Sequence, residues 1–131
     1  MLTILTRITD VGPSEDVHQT RRFRRLARVN ISQVLAQYLM EVSVPERPRA
    51  AQEFSVEGAG SCLLDHIEIL FDPHLQVHPL RWLEQRAKDR DIVVIWPGEY
   101  DGQHLTYAAP GHPEHQRFDL ASYPAISTEC L

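Results

Sequence analysis

The sequence predicts a small α/β domain built on a mostly parallel sheet, with helices on both faces to give three layers. Two short apolar runs point to it. Cys62-Leu63-Leu64 is closed by Asp65, and Ile92-Val93-Val94-Ile95-Trp96 is closed by Pro97-Gly98. Such runs are typical of strands buried on both faces. Segments of helical apolar spacing separate the strands, the pattern that packs as a parallel sheet. The length of 131 residues suits one domain over 1–131, and a hydrophobic content of 43% can supply its core.

Each element follows from local chemistry. Leu2-Thr3-Ile4-Leu5-Thr6 is short and β-branched and reads as a strand. A loop follows, and Ser14 can cap a helix whose first turn holds Glu15 and Asp16. That helix is expected to run to about Ala27, with Val29 ending a short strand. Asn30 and Gln33 have capping-box spacing before Ile31, Val34, Leu35, Tyr38, Leu39 and Val42, which recur at helical period. Pro45 and Pro48 stop this helix, and residues 44–60 form a connector with room for a helical turn. After Asp65 the apolar run continues through Phe71 until Asp72-Pro73 breaks it. Pro79 suits the first turn of a helix with Leu80, Leu83 and Ala87 on one face. Residues 91–96 form the second buried strand, Asp101-Gly102 a turn, and 103–108 a further strand. Residues 109–131 read as an irregular tail.

Composition narrows the function classes. No apolar run approaches the roughly 18 residues a membrane span needs. No basic-then-apolar leader is visible, so a cytoplasmic location is expected. Cys62 lies in the most apolar strand and Cys130 near the end, which suits reduced thiols. Net charge is −5, with a balance of +3 over residues 1–50 and −8 over 51–131. Such asymmetry suits contact between copies in a homo-oligomer, or a basic face for a partner.

In parallel sheets, ligands bind outside the carboxyl ends of the strands. Asp65 is therefore the first candidate. An apolar strand ending in aspartate has the form of a Walker B strand, where one rigidly held carboxylate serves Mg²⁺, a cation that prefers hard oxygen ligands. Glu68, three residues on, is the candidate second acid. An ordinary core strand ending in a loop acid has the same pattern.

The phosphate-binding partner of such a strand reads G-x-x-x-x-G-K-[S/T] between a strand and a helix. Here the stretch after the first strand is Arg7-Ile8-Thr9-Asp10-Val11-Gly12-Pro13-Ser14. Gly12 and Ser14 are in register as nucleotide-binding candidates. Arg7 stands where the first glycine belongs, and Pro13 where the lysine belongs. That removes the cation for β- and γ-phosphates and one backbone N–H donor.

Several short segments, in order, resemble a known family. They are Leu64-Asp65-His66-Ile67-Glu68-Ile69-Leu70-Phe71-Asp72, Pro79-Leu80-Arg81-Trp82-Leu83, Val93-Val94-Ile95-Trp96-Pro97-Gly98, Leu105-Thr106-Tyr107-Ala108 and Pro110-Gly111-His112-Pro113-Glu114. Val29-Asn30-Ile31-Ser32 and Glu46-Arg47-Pro48 also fit. Together they are similar to BrxF, the small P-loop ATPase-like subunit of type 3 BREX bacteriophage-defence systems. The resemblance implies a P-loop NTPase-like fold, ATP and Mg²⁺ as cofactors, and other defence-system subunits as partners. It also implies neighbouring genes for a methyltransferase, a large ATPase and an alkaline-phosphatase-like protein. The chain departs from the family's phosphate loop at Arg7 and Pro13, giving a degenerate loop. It also has His66 where many such ATPases carry a catalytic glutamate.

Arg21, Arg24, Arg25 and Arg28 fall on one face if their segment is helical, and such a face could hold DNA phosphates, a partner subunit, or only solvent. Arg86 and Arg90 close the third helix, where an arginine could reach a neighbour's nucleotide or simply suit the helix dipole. His104, His112 and His115 with Glu114 lack the i, i+4 spacing of a helical zinc site. Three functions stay open. One is an accessory, ATPase-like defence component with a weakened or inactive nucleotide site. The second is a working Mg-dependent NTPase with an irregular phosphate loop. The third is a small DNA-binding module using the arginines of 21–28.

Overall fold

The computed structural model describes residues 1–6, 26–56, 58 and 60–130. Five strands form the central sheet: β1 (Leu2–Thr6), β2 (Ala27–Asn30), β3 (Cys62–Asp65), β4 (Ile92–Ile95) and β8 (Ile126–Cys130). Their order is β2-β3-β4-β1-β8, and every neighbouring pair is parallel. The α/β class and the mostly parallel sheet are thus as the sequence predicts. All five carboxyl ends lie along one edge, which brings Thr6, Asn30, Asp65 and Ile95 to the same side of the sheet.

The strand period of two divides the core. Leu2, Ile4, Cys62, Leu64, Ile92 and Val94 face one buried cluster, while Leu5, Leu63 and Val93 face a second. The first cluster is completed by α1 (Ile31–Met40), α2 (Arg47–Glu53) and α3 (Pro79–Arg86). Helix α1 buries Ile31, Leu35 and Leu39, and the Asn30 side chain accepts from the Gln33 amide at 3.0 Å, the cap that the spacing predicts. Pro79 opens α3, where Leu80, Trp82 and Leu83 are fully buried. Trp82 Nε1 donates to the Ala51 carbonyl at 2.9 Å, and Arg86 stacks on Trp82 while donating to the carbonyls of Phe54 and Trp82. Burial draws the Arg86 pKa down to about 10, which leaves the guanidinium charged at neutral pH.

Two expectations are corrected. Ala27, where the expected helix was to end, is not helical: Ala27, Arg28, Val29 and Asn30 form β2, which contains the short strand expected to end at Val29, so Arg28 sits on a strand. Val29 pairs in register with Leu64, and that ladder draws Ala27 and Arg28 into the sheet. The apolar run after Asp65 lies outside the strand, which ends at Asp65 as expected. His66 adopts a left-handed conformation, φ 49°, and Ile67–Phe71 coil into a 3₁₀ turn. Residues 109–131 are not an irregular tail, because they supply β7 (Gln116–Asp119) and β8. The isoleucine, serine and threonine of β8 pair along β1, which gives a polar-looking segment its place at the sheet edge. The arginines at 7, 21, 24 and 25, together with Gly12, Pro13 and Ser14, lie outside the described residues.

Between β4 and β8 the chain builds a second, antiparallel sheet of β5 (Glu99–Tyr100), β6 (His104–Tyr107) and β7. Aromatic contacts weld it to the main core: Tyr107 stacks on Phe71 with ring centroids 3.8 Å apart, and Phe71 meets Trp96 edge-on at 5.6 Å. Trp96 Nε1 donates to the Thr106 carbonyl at 3.0 Å. A Cβ on Gly98 would fall 1.8 Å from that same Thr106 oxygen, so only glycine admits this approach. Gly98→Ala should therefore cost at least about 2 kcal/mol in urea unfolding; an unchanged midpoint would contradict this packing. Backbone amides of His104 and Gln103 hold the Asp101 carboxylate, drawing its pKa down to about 2. A depressed carboxylate stabilises the fold above its unfolded pKa of about 4 and ceases to do so as pH falls through about 2. An NMR titration of Asp101 should give a midpoint well below the ordinary carboxylate value, and loss of the 101–104 turn at that midpoint.

Candidate functional site

The carboxyl edge of the sheet carries one buried acid. Asp65 ends β3 with its side chain only 7% exposed. Arg28 pairs with Leu63 in register on the neighbouring strand. Leu63 and Asp65 share a face at a period of two, so the long Arg28 side chain crosses diagonally to the carboxylate. Its Nε donates to Asp65 Oδ2 as a charge-assisted hydrogen bond. The guanidinium side is 35% exposed, so the pair joins a buried anion to a cation that still touches water. Asp65 Oδ1 is buried with no hydrogen-bond partner among the described residues.

The turn that follows holds the acid in place. Ser32, at the start of α1, donates both its amide, at 2.9 Å, and its hydroxyl to the His66 carbonyl. The same hydroxyl accepts from the Ile69 amide at 3.2 Å. These bonds fix His66 in its left-handed conformation, which would otherwise be disfavoured for a residue with a Cβ. The His66 ring stays largely exposed, with Nε2 4.0 Å from Asp65 Oδ2.

Around the pair is a crevice of about 270 Å³, lined by Arg28, Asp65, His66 and Glu68 on one side and by Trp96 and Gly98 on the other. Glu68 belongs to the 3₁₀ turn and is half-buried. Burial pushes the Tyr107 hydroxyl pKa up, and the charges of Glu114 and Glu68 add to that shift. A larger groove of about 1000 Å³ adjoins on the other side of Arg28, between α1 and residues 54–56.

Of the residues singled out in the sequence, Asp65, Glu68 and Arg28 come together here. Arg86 and Arg90 do not. Arg90 donates to the carbonyls of Gly60 and Val56, and Arg86 to those of Gln52 and Phe54, at the amino-terminal side of β3 and away from Asp65. His104 contacts Asp101 at 3.2 Å, His115 contacts the Ala108 carbonyl at 3.0 Å, and His112 accepts from the Glu114 amide at 3.0 Å, so each histidine is used within its own turn. No group of three or more metal-ligating side chains occurs among the described residues. Sequence reasoning missed Ser32 and the role of Arg28. The signal for Arg28 was the short β-compatible stretch Arg28-Val29 directly before a helix cap.

No protein-family model, curated protein or solved structure matches this chain.

The donor set tests whether magnesium suits Asp65. A single strand-end carboxylate with a spare oxygen has the form of a magnesium ligand, since Mg²⁺ takes one or two carboxylates and completes its shell with water and phosphate. The Arg28 guanidinium on Oδ2 opposes this, because it already neutralises the carboxylate and would repel a divalent ion on Oδ1. Pro13 in place of a lysine removes the cation expected for the phosphates. The residues do not fit a bound magnesium ion while the Arg28–Asp65 pair is closed.

Ser32→Ala should lower unfolding stability by about 1–2 kcal/mol, because it leaves the Ile69 amide without its acceptor and weakens the hold on the His66 carbonyl. Ser32→Thr, which keeps the hydroxyl, should recover most of that loss in the same urea titration.

Proposed function

We propose that this chain is an accessory, P-loop-like component of a BREX-type bacteriophage-defence assembly, acting through contacts with other subunits and carrying a nucleotide site too weak for turnover. The observation that carries the proposal is the state of Asp65. The acid expected to serve magnesium is buried at a strand's carboxyl end, and its counterion is Arg28. The ordered similarity of residues 63–118 to BrxF supports the family. Supporting the fold, β1 lies inside a parallel sheet with β4 between it and the acid-bearing β3, so a loop after β1 and the Asp65 carboxylate would share one edge. Supporting the weakened site, the stretch after β1 has Arg7 and Pro13 where glycine and lysine belong. Glu68 lines the crevice as the remaining acid, but it is not adjacent to Asp65 in sequence.

A DNA-binding face built on Arg21, Arg24, Arg25 and Arg28 has lost Arg28 to the strand. The working NTPase is the alternative that experiment must exclude. ATP titrated calorimetrically with Mg²⁺ should give no binding in the micromolar range, and purified protein should show no ATP hydrolysis above buffer. Micromolar, Mg-dependent binding that disappears in Asp65→Ala would overturn the weakened site. Co-expression with the other subunits of the defence system should yield a complex that survives this same substitution.

A further inference from the structure

We propose that β8 is a dimer edge: two copies of this chain pair their β8 strands antiparallel about a twofold axis at Thr128, which joins two five-stranded sheets into one. The pairing stands apart from the nucleotide site and does not depend on the function proposed above.

β8 ends the sheet order, with β1 as its one neighbour among the described strands. Residues 126–129 are half-buried and Cys130 is exposed. The strand contains neither lysine nor proline, two residues that natural edge strands use to discourage pairing. The direction of its backbone groups follows from β1. The carbonyls of Met1 and Leu5 accept from Ile92 and Trp96, on the β4 side. Backbone groups alternate sides along a strand, so those of Leu2, Ile4 and Thr6 turn to β8. In a parallel ladder a residue bonds to the two neighbours of its partner. Ile4 is partnered by Thr128, so Ser127 and Glu129 face β1. The Thr6 hydroxyl, which donates to the Glu129 carbonyl at 3.3 Å, agrees with this. The amides and carbonyls of Ile126, Thr128 and Cys130 therefore point away from β1.

Those outward groups restrict how a second copy can fit. Antiparallel strands exchange bonds only where outward groups meet outward groups. Registers that pair more than one residue put the axis at Ser127, Thr128 or Glu129. With the axis at Ser127, only residues 126–128 overlap. With the axis at Glu129, two carboxylates stand directly opposite, which is destabilising. With the axis at Thr128 the whole strand pairs: Ser127 faces Glu129 of the other copy, Ile126 faces Cys130, and Thr128 faces itself. Thr128 then exchanges both backbone bonds with its own mate, and each Cys130 amide meets the Ile126 carbonyl of the other copy. The Ile126 amide is already given to the Tyr123 carbonyl at 3.0 Å. Tyr100 of β5 supports the middle of the strand, with its hydroxyl 3.4 Å from Thr128 Oγ1. The edge is thus complementary to itself in hydrogen bonding, charge and apolar contact, which makes a second copy its occupant.

The experiment uses the full chain. In sedimentation equilibrium at submillimolar concentration, wild type should reach twice the chain's mass, and Thr128→Pro should stay at the single mass. Proline there removes an amide that points away from β1, so the ladder and the circular-dichroism spectrum should survive. Oxidative cross-linking in a Cys130→Ser background reads the register. Thr128→Cys should form an intermolecular disulfide, because residues paired on the axis lie about 5.5 Å apart at Cα, within disulfide reach. Ser127→Cys and Glu129→Cys should not, since each faces the other position and not its own mate. A wild type that stays monomeric would overturn the proposal and leave the edge to a strand from another protein. A dimer that persists in folded Thr128→Pro would also overturn it, as would cross-linking that favours Ser127→Cys or Glu129→Cys. Should Thr128→Pro fail to fold, the wild-type mass and the cysteine series decide.

Discussion

A carboxylate buried at the end of a central strand must have a counterion, and much of the carboxyl edge of this sheet is organised around meeting that requirement. Asp65 is placed by β3, whose other side chains are wholly buried and fix the strand in both directions. The counterion comes from β2, so the edge strand is joined to the sheet by an ion pair as well as by its backbone ladder. The turn after Asp65 is then held by Ser32 at the start of α1, which couples the helix to the same corner. Replacing a buried pair with well-packed apolar groups is often neutral, whereas removing one partner is strongly destabilising. The pair therefore matters less as a source of stability than as a constraint, since neither residue can change alone.

The opposite end of the sheet is fastened by different means. Arg86 and Arg90 donate to backbone carbonyls of residues 52–60, and the Met1 amine donates to the carbonyls of Ala87 and Arg90. Charged groups there act as clamps on loops whose carbonyls have no secondary-structure partner. Chemistry and anchoring are thus separated along the strand direction: the clamps lie toward the amino ends, and the crevice with its acid and open groove lies at the carboxyl ends. The β5–β7 sheet reinforces the crevice side, with Trp96 and Gly98 forming its wall and Thr106 holding both against the core.

The central features of this arrangement were legible in the sequence because they are local. Apolar runs closed by an acid or by Pro-Gly mark β3 and β4, and the Asn30–Gln33 cap marks α1. Asp65 and Glu68 could be nominated from their position after a buried strand, and both line the crevice. What was illegible depends on long-range pairing. Arg28 has helix-compatible neighbours, and only its register against β3 makes it a strand residue that reaches Asp65. β8 looks like tail because its serine, threonine and glutamate carry no strong periodicity, yet β1 supplies it with a parallel partner. The 3₁₀ turn after Asp65 is not visible in the apolar run that follows the strand, since the left-handed conformation of His66 depends on Ser32, 34 residues earlier.

The central claim is that Asp65 and Arg28 function as one unit, and a double-mutant cycle tests it most directly. Urea unfolding of Asp65→Leu, Arg28→Leu and the double variant measures the coupling. Arg28→Leu should be the more damaging single change, because it strands a carboxylate 7% exposed, whereas the Arg28 side chain is 35% exposed. The double variant should be more stable than additivity allows by about 1–3 kcal/mol, a range lowered for the partial exposure of Arg28. Additive losses, with no coupling between the two positions, would contradict the account.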